Sequence, residues 1–167
     1  MMKIQIGGLS EGVHHYRFQA EASDLDLPDG FSKEVRVDVV LDKTGMQVFL
    51  KAHVQTSGTF LCDRCTGVFK HPVSSEYQMC YIPEGSDMSG IDPAELQAIP
   101  PASGVIEIAE DVRQTILLGI PLKLLCSEGC EGLCPWCGKN LNVETCSCSA
   151  SLDDPRWEML RPLRDGN

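Results

Sequence analysis

Nine cysteines are the residues of this 167-residue chain that point most directly to chemistry. Eight of them form four closely spaced pairs, and the ninth, Cys80, stands alone. The pairs are Cys62/Cys65, Cys126/Cys130, Cys134/Cys137 and Cys146/Cys148. Four cysteine thiolates make a complete tetrahedral zinc site. The four pairs therefore predict two Zn²⁺ sites, with Cys80 left over.

Two other kinds of cysteine chemistry are disfavoured. The N-terminal residues 1–7 lack the apolar region of a secretory signal, so we expect a cytoplasmic, reducing location rather than a disulfide framework. The odd number of cysteines points the same way. A thioredoxin-like redox motif normally opens a helix in a βαβ unit, and no such pattern surrounds any of the pairs.

Two of the pairs have the form of zinc knuckles. Cys62-x-x-Cys65 is followed by Thr-Gly67, and Cys134-x-x-Cys137 is followed directly by Gly138. Two thiolates three residues apart on a tight turn can both reach one ion at about 2.3 Å. A glycine after the second cysteine permits a positive φ, which turns nearby backbone N–H groups towards sulfur.

The division of the four pairs between two ions is open, because three divisions exist. We favour one local site from the last two pairs, since their loop of about fifteen residues closes at little entropic cost. The first two pairs would then form a long-range site that joins the middle of the chain to its C-terminal part. His71 is an alternative ligand, although a solvated histidine at a strand edge is the favoured interpretation.

Sites of this composition predict a structural role for the metal. A catalytic zinc keeps one position open for water and usually has histidine or carboxylate ligands. The sequence has no cluster of His, Asp and Glu at catalytic spacing, so we expect no enzyme. Cys80 lies in a predicted strand between Met79 and Tyr81, and we interpret it as a small buried residue.

The elements that must position the cysteines are mainly strands. Apolar and polar residues alternate from Val35 to Leu41 and, after a turn at residues 42–45, again from Met46 to Val54. Short β-like pieces at residues 3–9 and 13–20 precede them, and a strand at residues 72–82 follows. The strands of the middle part, from residue 35 to residue 82, predict an antiparallel meander. Ser57-Gly58 indicates a bulge or bend just before the first knuckle.

The remaining segments complete the predicted architecture. Residues 83–104 contain four prolines and are expected to form a loop. Apolar residues recurring every three or four positions predict a helix over about residues 105–119, ended by Gly119 and Pro121. That helix would cover one face or end of the sheet.

The fold class expected is α+β: mainly antiparallel β in a meander or barrel-like sheet, one packed helix and a C-terminal zinc-knuckle module. Two domains are expected. Residues 1–125 form the β-rich domain, and residues 126–167 form the Cys-rich module. The module ends in a short helix with Asp154 as its N-cap and Pro155 as its first residue.

The charge of the chain limits its partners. It has 14 Lys and Arg against 24 Asp and Glu, a formal charge of −10. Two sites of four thiolates and one divalent ion each would deepen it to about −14. Such a surface repels phosphate unless the basic residues are segregated. No run approaches about 18 consecutive apolar residues, so no membrane span is predicted.

Specific strings surround the cysteines. They are Cys62-Asp-Arg-Cys65, Leu118-Gly-Ile-Pro121, Gly132-Leu-Cys-Pro-Trp-Cys-Gly-Lys-Asn-Leu-Asn142 and Asp154-Pro-Arg156. From about residue 35 to residue 160 the chain resembles the YceD-like family of bacterial and plastid proteins. The resemblance implies a role in processing or stabilising large-subunit ribosomal RNA, no established catalytic chemistry, and the eight paired cysteines as metal ligands.

The resemblance and the charge together leave two functional hypotheses. In the first, the chain is a zinc-stapled acidic adaptor that binds a basic ribosomal protein or a large-subunit precursor and protects the RNA indirectly. In the second, the knuckles bind RNA directly, with Trp136 stacking on a base; the alternative for Trp136 is packing on the tail helix. The candidate contact residues are Arg64, Lys70, Trp136, Lys139, Arg156 and Arg161, with Arg164 beyond them.

Overall fold

Strands make up most of the fold. The computed structural model describes residues 2–86, 92–100 and 104–148. The strands are β1 (Lys3–Gln5), β2 (Gly12–Glu21), β3 (Glu34–Thr44), β4 (Gln47–Leu61), β5 (Val68–Pro83), β6 (Leu96–Ile99) and β7 (Val105–Glu107). The α-helix α1 spans Ala109–Leu118, and short 3₁₀ helices lie at Ala22–Leu25 and Pro93–Glu95. No helix among the described residues is long and apolar enough to cross a membrane.

The main sheet has five strands in the order β2-β3-β4-β5-β6. Strands β2 to β5 pair antiparallel, each with the next along the chain, which confirms the predicted meander for β3 to β5 and extends it to β2. The sheet is open and does not close into a barrel. The turn between β3 and β4 lies at residues 45–46 rather than 42–45, because the ladder continues to the pair Thr44↔Gln47.

The core lies between one face of this sheet and α1. The alternating residues of β3 and β4 that were expected on one face are buried, for example Val37 and Leu50. From α1, Val112 and Ile116 join the same cluster, which confirms the packed helix. Met46, expected on the same face, is instead exposed in the turn.

The helix is shorter than the sequence predicts. Residues Val105–Glu107 form the strand β7, and the helix begins at Ala109. Strand β7 pairs antiparallel with β1, and both residues of the pair Ile4↔Ile106 are buried in the hydrophobic core. β-branched residues with a partner strand favour extended backbone, so tertiary pairing outweighs the helical spacing of the apolar residues here.

Residues 83–104 are not entirely a loop, contrary to the prediction. Strand β6 lies within them and pairs in parallel with the end of β5, as in Cys80↔Leu96. Because this strand has only four residues and lies between prolines, its alternation of apolar and polar residues is too short to predict a strand from the sequence. Residues 87–91 and 101–103 lie outside the described part of the chain.

The predicted bulge at Ser57-Gly58 is also wrong, because β4 and β5 pair in unbroken register through Ser57↔Pro72 and Gly58↔His71. The glycine serves packing instead. A Cβ at Gly58 would lie 2.5 Å from Cζ of Phe60, so the ring occupies the space that a side chain would need.

The β4–β5 hairpin extends beyond the sheet and carries the first knuckle at its tip. Strand β3 accompanies β4 only to the pair Arg36↔Gln55, whereas β4 and β5 remain paired to Leu61↔Val68. Four aromatic rings contact one another in a row along this extension. The distances between ring centroids are 5.9 Å for Phe31 and Phe60, 6.4 Å for Phe60 and His71, and 6.2 Å for His71 and Phe69. The row links the hydrophobic core to the cysteines at the tip.

Candidate metal centres

The first knuckle is a tight turn held by two backbone hydrogen bonds. The N–H of Cys62 donates to the carbonyl of Gly67 at 2.9 Å, and that of Thr66 donates to the carbonyl of Cys62 at 2.9 Å. The positive φ of the turn, 55°, belongs to Thr66 and not to the glycine, which corrects the prediction. Gly67 instead leaves room for sulfur, since a Cβ there would lie 3.3 Å from Sγ of Cys65.

The two residues between the knuckle cysteines hold the segment that brings the second pair. The N–H of Asp63 donates to the carbonyl of Leu124 at 2.8 Å, and the Asp63 carboxylate accepts the N–H of Leu124 at 2.6 Å. The Arg64 guanidinium donates to the carbonyl of Cys130 at 2.8 Å. Sequence reasoning did not single out Asp63, and nothing in the spacing of the cysteines marks it.

These contacts bring four thiols together, which we call the first cysteine group. Its members are Cys62, Cys65, Cys126 and Cys130, and their sulfur atoms all lie within 4.8 Å of one another. Phe69, Leu125 and Leu133 pack around them. Three of the four cysteines are buried and Cys126 is exposed.

The remaining paired cysteines form the second cysteine group. It consists of Cys134, Cys137, Cys146 and Cys148, again with all sulfur atoms within 4.8 Å of one another. Its knuckle has the same frame as the first: the N–H of Cys134 donates to the carbonyl of Lys139 at 2.8 Å, and that of Gly138 to the carbonyl of Cys134 at 2.9 Å. Only Cys134 is buried in this group.

The spacing of the sulfur atoms fits a tetrahedral ion. A zinc–sulfur bond of about 2.3 Å implies sulfur atoms about 3.8 Å apart. In the first group, Cys62 and Cys130 are 3.7 Å apart, as are Cys65 and Cys126. In the second group, Cys134 and Cys146 are 3.4 Å apart. The two groups match the division of pairs that loop length favours.

Backbone amides favour the ionised form of one thiol in each group. Burial by itself raises the pKa of Cys62, but backbone N–H groups of Cys126, Cys65 and Arg64 outweigh it and lower the pKa to about 6. In the second group, backbone N–H groups of Cys137 and Trp136 lower the pKa of Cys134 to about 6. The knuckle turns supply these N–H groups, except that of Cys126, which comes from the segment after α1.

One other thiol in each group, Cys126 in the first and Cys148 in the second, loses its proton less readily. Hydrogen bonding with Cys130 is the main cause that raises the pKa of Cys126 to about 12. Hydrogen bonding with Cys137 does the same for Cys148, whose pKa also rises to about 12. Four thiolates at these distances repel one another unless a cation lies between them. A divalent ion that prefers sulfur ligands would offset this repulsion.

Comparison with known proteins places the chain. A family model described as "Large ribosomal RNA subunit accumulation protein YceD" matches residues 50–164, which include both cysteine groups. The chain belongs to the YceD family.

One curated relative of this YceD family protein comes from Zea mays and is named "Large ribosomal RNA subunit accumulation protein YCED homolog 1, chloroplastic". The two are 28% identical over 165 residues, covering 78% of this chain. The chain spans 56% of the length of that relative. No solved structure matches the YceD family chain.

The candidate contact residues of this YceD family protein are distributed over both groups. Arg64 lies in the first knuckle, where its guanidinium is bonded to Cys130, and Lys70 is exposed on β5. In the second knuckle, Trp136 is 58% exposed, and Lys139 forms an ion pair of 3.2 Å with Glu144. Arg156, Arg161, Arg164 and the predicted tail helix lie outside the described residues.

His71 and Cys80, the two isolated candidates, both lie outside the two cysteine groups. His71 is neither a ligand in either cysteine group nor fully solvated, since its ring lies between those of Phe60 and Phe69. Cys80 is 3% exposed, and burial raises the pKa of its thiol, as expected for a small buried residue.

Proposed function

We propose that this YceD family protein is a non-enzymatic zinc-binding factor that supports the accumulation or processing of large-subunit ribosomal RNA. The proposal rests on the two groups of four thiols, found in a chain whose family is described as a large ribosomal RNA subunit accumulation protein. We further propose that it acts in the cytoplasm as an acidic adaptor to a basic ribosomal protein or a large-subunit precursor.

Each ion would be held by one cysteine group and would supply a cross-link. In the first group it would tie the tip of the β4–β5 hairpin to residues 126–130, and in the second it would close residues 134–148. Four thiolates complete a tetrahedral coordination sphere, so the donor set supports a structural role. A metal can substitute for hydrophobic burial in such a segment, where few side chains are buried.

The adaptor role is supported by acidic side chains that lie together on one part of the surface. Two neighbouring cavities of about 420 and 260 Å³ share Asp26 in their linings. The acidic residues around them are Glu21, Asp24, Asp26, Asp29, Glu107 and Glu110. Within the described part of the chain, ion pairs engage only Glu107 and Glu110 of these. Lys33 and Arg113 also line these cavities, so six carboxylates outnumber two cations there and the surface favours a cationic partner.

Direct RNA binding is a second candidate function, and one observation favours it. Trp136 is a large aromatic residue that is more than half exposed beside a knuckle, and exposed aromatic rings can stack on unpaired bases. The repulsion between phosphate and a chain with formal charge −10 makes this the less favoured candidate.

Metal analysis of the purified full chain under reducing conditions tests the first part of the proposal. We expect two zinc ions per chain, and strong chelation should remove protection from hydrogen exchange in residues 126–148 before it affects β2 to β5. A content of one ion or none would overturn the two-site proposal.

Cross-linking in cells tests the adaptor role. We expect the chain to be attached to cationic large-subunit proteins, with binding that weakens as salt increases. The double substitution Asp24→Asn/Asp29→Asn should reduce that binding, whereas Asp42→Asn/Glu84→Gln removes the same charge elsewhere and should not. RNA attached at Trp136 would overturn the adaptor in favour of direct RNA binding.

A further inference from the structure

The two cysteine groups are joined by a short segment that lies against the first knuckle. Only three residues separate Cys130 of the first group from Cys134 of the second. The N–H of Leu133 donates to the carbonyl of Arg64 at 3.1 Å. Gly132 has a φ of 79°, and a Cβ there would lie 3.1 Å from the carbonyl oxygen of Arg64. The backbone of Gly132 therefore lies so close to Arg64 that any side chain at position 132 would require one of the two residues to shift.

One side chain connects the second group directly to a sulfur atom of the first. Asn142 lies in the loop between Cys137 and Cys146, yet its Nδ2 donates to Sγ of Cys130 at 3.5 Å. Its Oδ1 accepts the N–H of Glu131, within the joining segment, at 2.8 Å. Both ends of this amide therefore bond to the segment that supplies Cys130.

The orientation of that amide follows from its partners. The N–H of Glu131 can only donate, so the atom that faces it is the Asn142 oxygen, and the nitrogen then faces sulfur. Oδ1 of Asn140 accepts both Nδ2 of Asn142, at 2.7 Å, and the backbone N–H of Asn142, at 3.0 Å. These bonds hold Asn142 in place within the loop of the second group.

We propose that Asn142 couples the two metal sites, so that each binds its ion more tightly when the other is filled. This inference rests on the proposed metal binding of both groups. An ion in the second group orders the loop that carries Asn142, and the ordered amide then donates to the Cys130 thiolate. Hydrogen bonds to ligating sulfur stabilise its charged form and fix its direction. Coupling of binding free energies is reciprocal, so an ion in the first group favours the second equally.

The test compares zinc affinity of the first group in four versions of the full chain. They are the natural protein, Asn142→Asp, Cys137→Ser/Cys148→Ser, and the combination of all three substitutions. Asn142→Asp keeps the acceptor for the N–H of Glu131 and removes the donor to sulfur. Competition with a chromophoric zinc chelator gives the affinities, and the absorption of bound Co²⁺ reports four-thiolate coordination.

We expect Asn142→Asp to weaken the first site about 10- to 100-fold in the otherwise natural chain. When the second site is disabled by the serine substitutions, the loop no longer presents residue 142, and the same change should have a much smaller effect. Asn142→Ala should also weaken the first site more in the otherwise natural chain than in the chain with the serine substitutions. Because it removes the donor without adding a carboxylate, it separates the loss of the hydrogen bond from the effect of the added charge. Val143→Ala is the matched control, since Val143 is 82% exposed in the same loop and should leave both affinities unchanged.

Three outcomes would overturn the coupling. Asn142→Asp and Asn142→Ala leaving the first site unchanged would show that the bond to sulfur is unimportant. An equal loss in both backgrounds would show a local contact without communication between sites. A natural chain that binds no zinc would remove the proposed metal function together with this inference, so the two failures are distinguishable. Hydrogen exchange of β3 and β4 amides verifies that each variant is folded.

Discussion

Thr66 and Gly138 occupy equivalent positions in two turns that share one pattern of backbone hydrogen bonds. Each follows the second cysteine of a knuckle directly, and each donates its N–H to the first cysteine's carbonyl at 2.9 Å. Both adopt a positive φ, 55° at Thr66 and 73° at Gly138. The two knuckles are therefore the same turn, built once with a β-branched residue in the left-handed region and once with glycine.

Replacing Thr66 by glycine should stabilise the protein by about 1 kcal/mol, because the left-handed conformation costs a β-branched residue about 1–2 kcal/mol. The gain is partly offset by losing the bond from Oγ1 of Thr66 to the carbonyl of Cys65. Gly138→Ala should cost about 1 kcal/mol through the backbone alone, since no atom lies within 4 Å of a Cβ there. Denaturant unfolding in excess zinc measures both, and a destabilising Thr66→Gly would show that the hydroxyl bond outweighs the strain.

Serine substitutions in the two groups should have different consequences. Cys137→Ser should loosen residues 134–148 and leave β2 to β5 folded, because its partners all lie in that loop. Cys65→Ser should instead release residues 126–148 from the hairpin tip, since the first group spans the two parts of the chain. Hydrogen exchange and limited proteolysis locate the change in each variant. Global unfolding of both to the same extent would show that the ligand pairing is wrong.

Tyr77→Phe should raise the free energy of unfolding by about 1 kcal/mol. Among the described residues, the buried hydroxyl of Tyr77 has no hydrogen-bond partner, and burying an unpaired hydroxyl is costly. Tyr81→Phe is the matched comparison, because the Tyr81 hydroxyl donates to Oδ2 of Asp111 at 3.5 Å and its loss should not stabilise. Urea denaturation measures both variants, and equal effects would contradict the assignment of the unpaired hydroxyl to Tyr77.

Asp111 should make stability fall as the pH rises above the usual aspartate range. Burial raises the pKa of Asp111, and the hydrogen bond from Tyr81 lowers it only in part. The folded state therefore binds this proton more tightly than the unfolded chain, and the contribution is fully present below about pH 3.9 and lost through the folded pKa. Unfolding free energies of the natural chain and Asp111→Asn, compared at each pH, should diverge in favour of the variant as pH rises. A difference that does not change with pH would contradict the raised pKa.

Periodic signals explain what the sequence predicts of this fold. The alternation in β3 and β4 identifies both the strands and the face that meets the core, as at Val39 and Ala52. The division of the cysteines between two groups follows from loop length, because the last two pairs lie within fifteen residues of one another. Both the alternation of apolar and polar residues and the closure of a short loop depend only on residues that are near one another in the sequence.

The features that sequence reasoning missed depend on single long-range contacts. Residues 105–107 have helical spacing, and pairing with the distant strand β1 makes them a strand. The sequence around Gly58 is typical of a bend, but the glycine is needed because the ring of Phe60 occupies the space of a side chain at that position. Asp63 and Asn142 support the first cysteine group through bonds to Leu124 and to Sγ of Cys130. No local pattern distinguishes such polar residues from those of an exposed loop.

The long span of the first cysteine group sets an order in time during synthesis. Its nearest members in sequence from the two halves, Cys65 and Cys126, are 61 residues apart. At about 5–20 residues per second, a ribosome makes the later cysteine roughly 3–12 s after the earlier one. The second group is complete about 1–3 s after its first cysteine is made. The hairpin tip therefore carries only two of the four thiols of its group while the chain grows, and the first cysteine group is complete only when Cys130 has been translated.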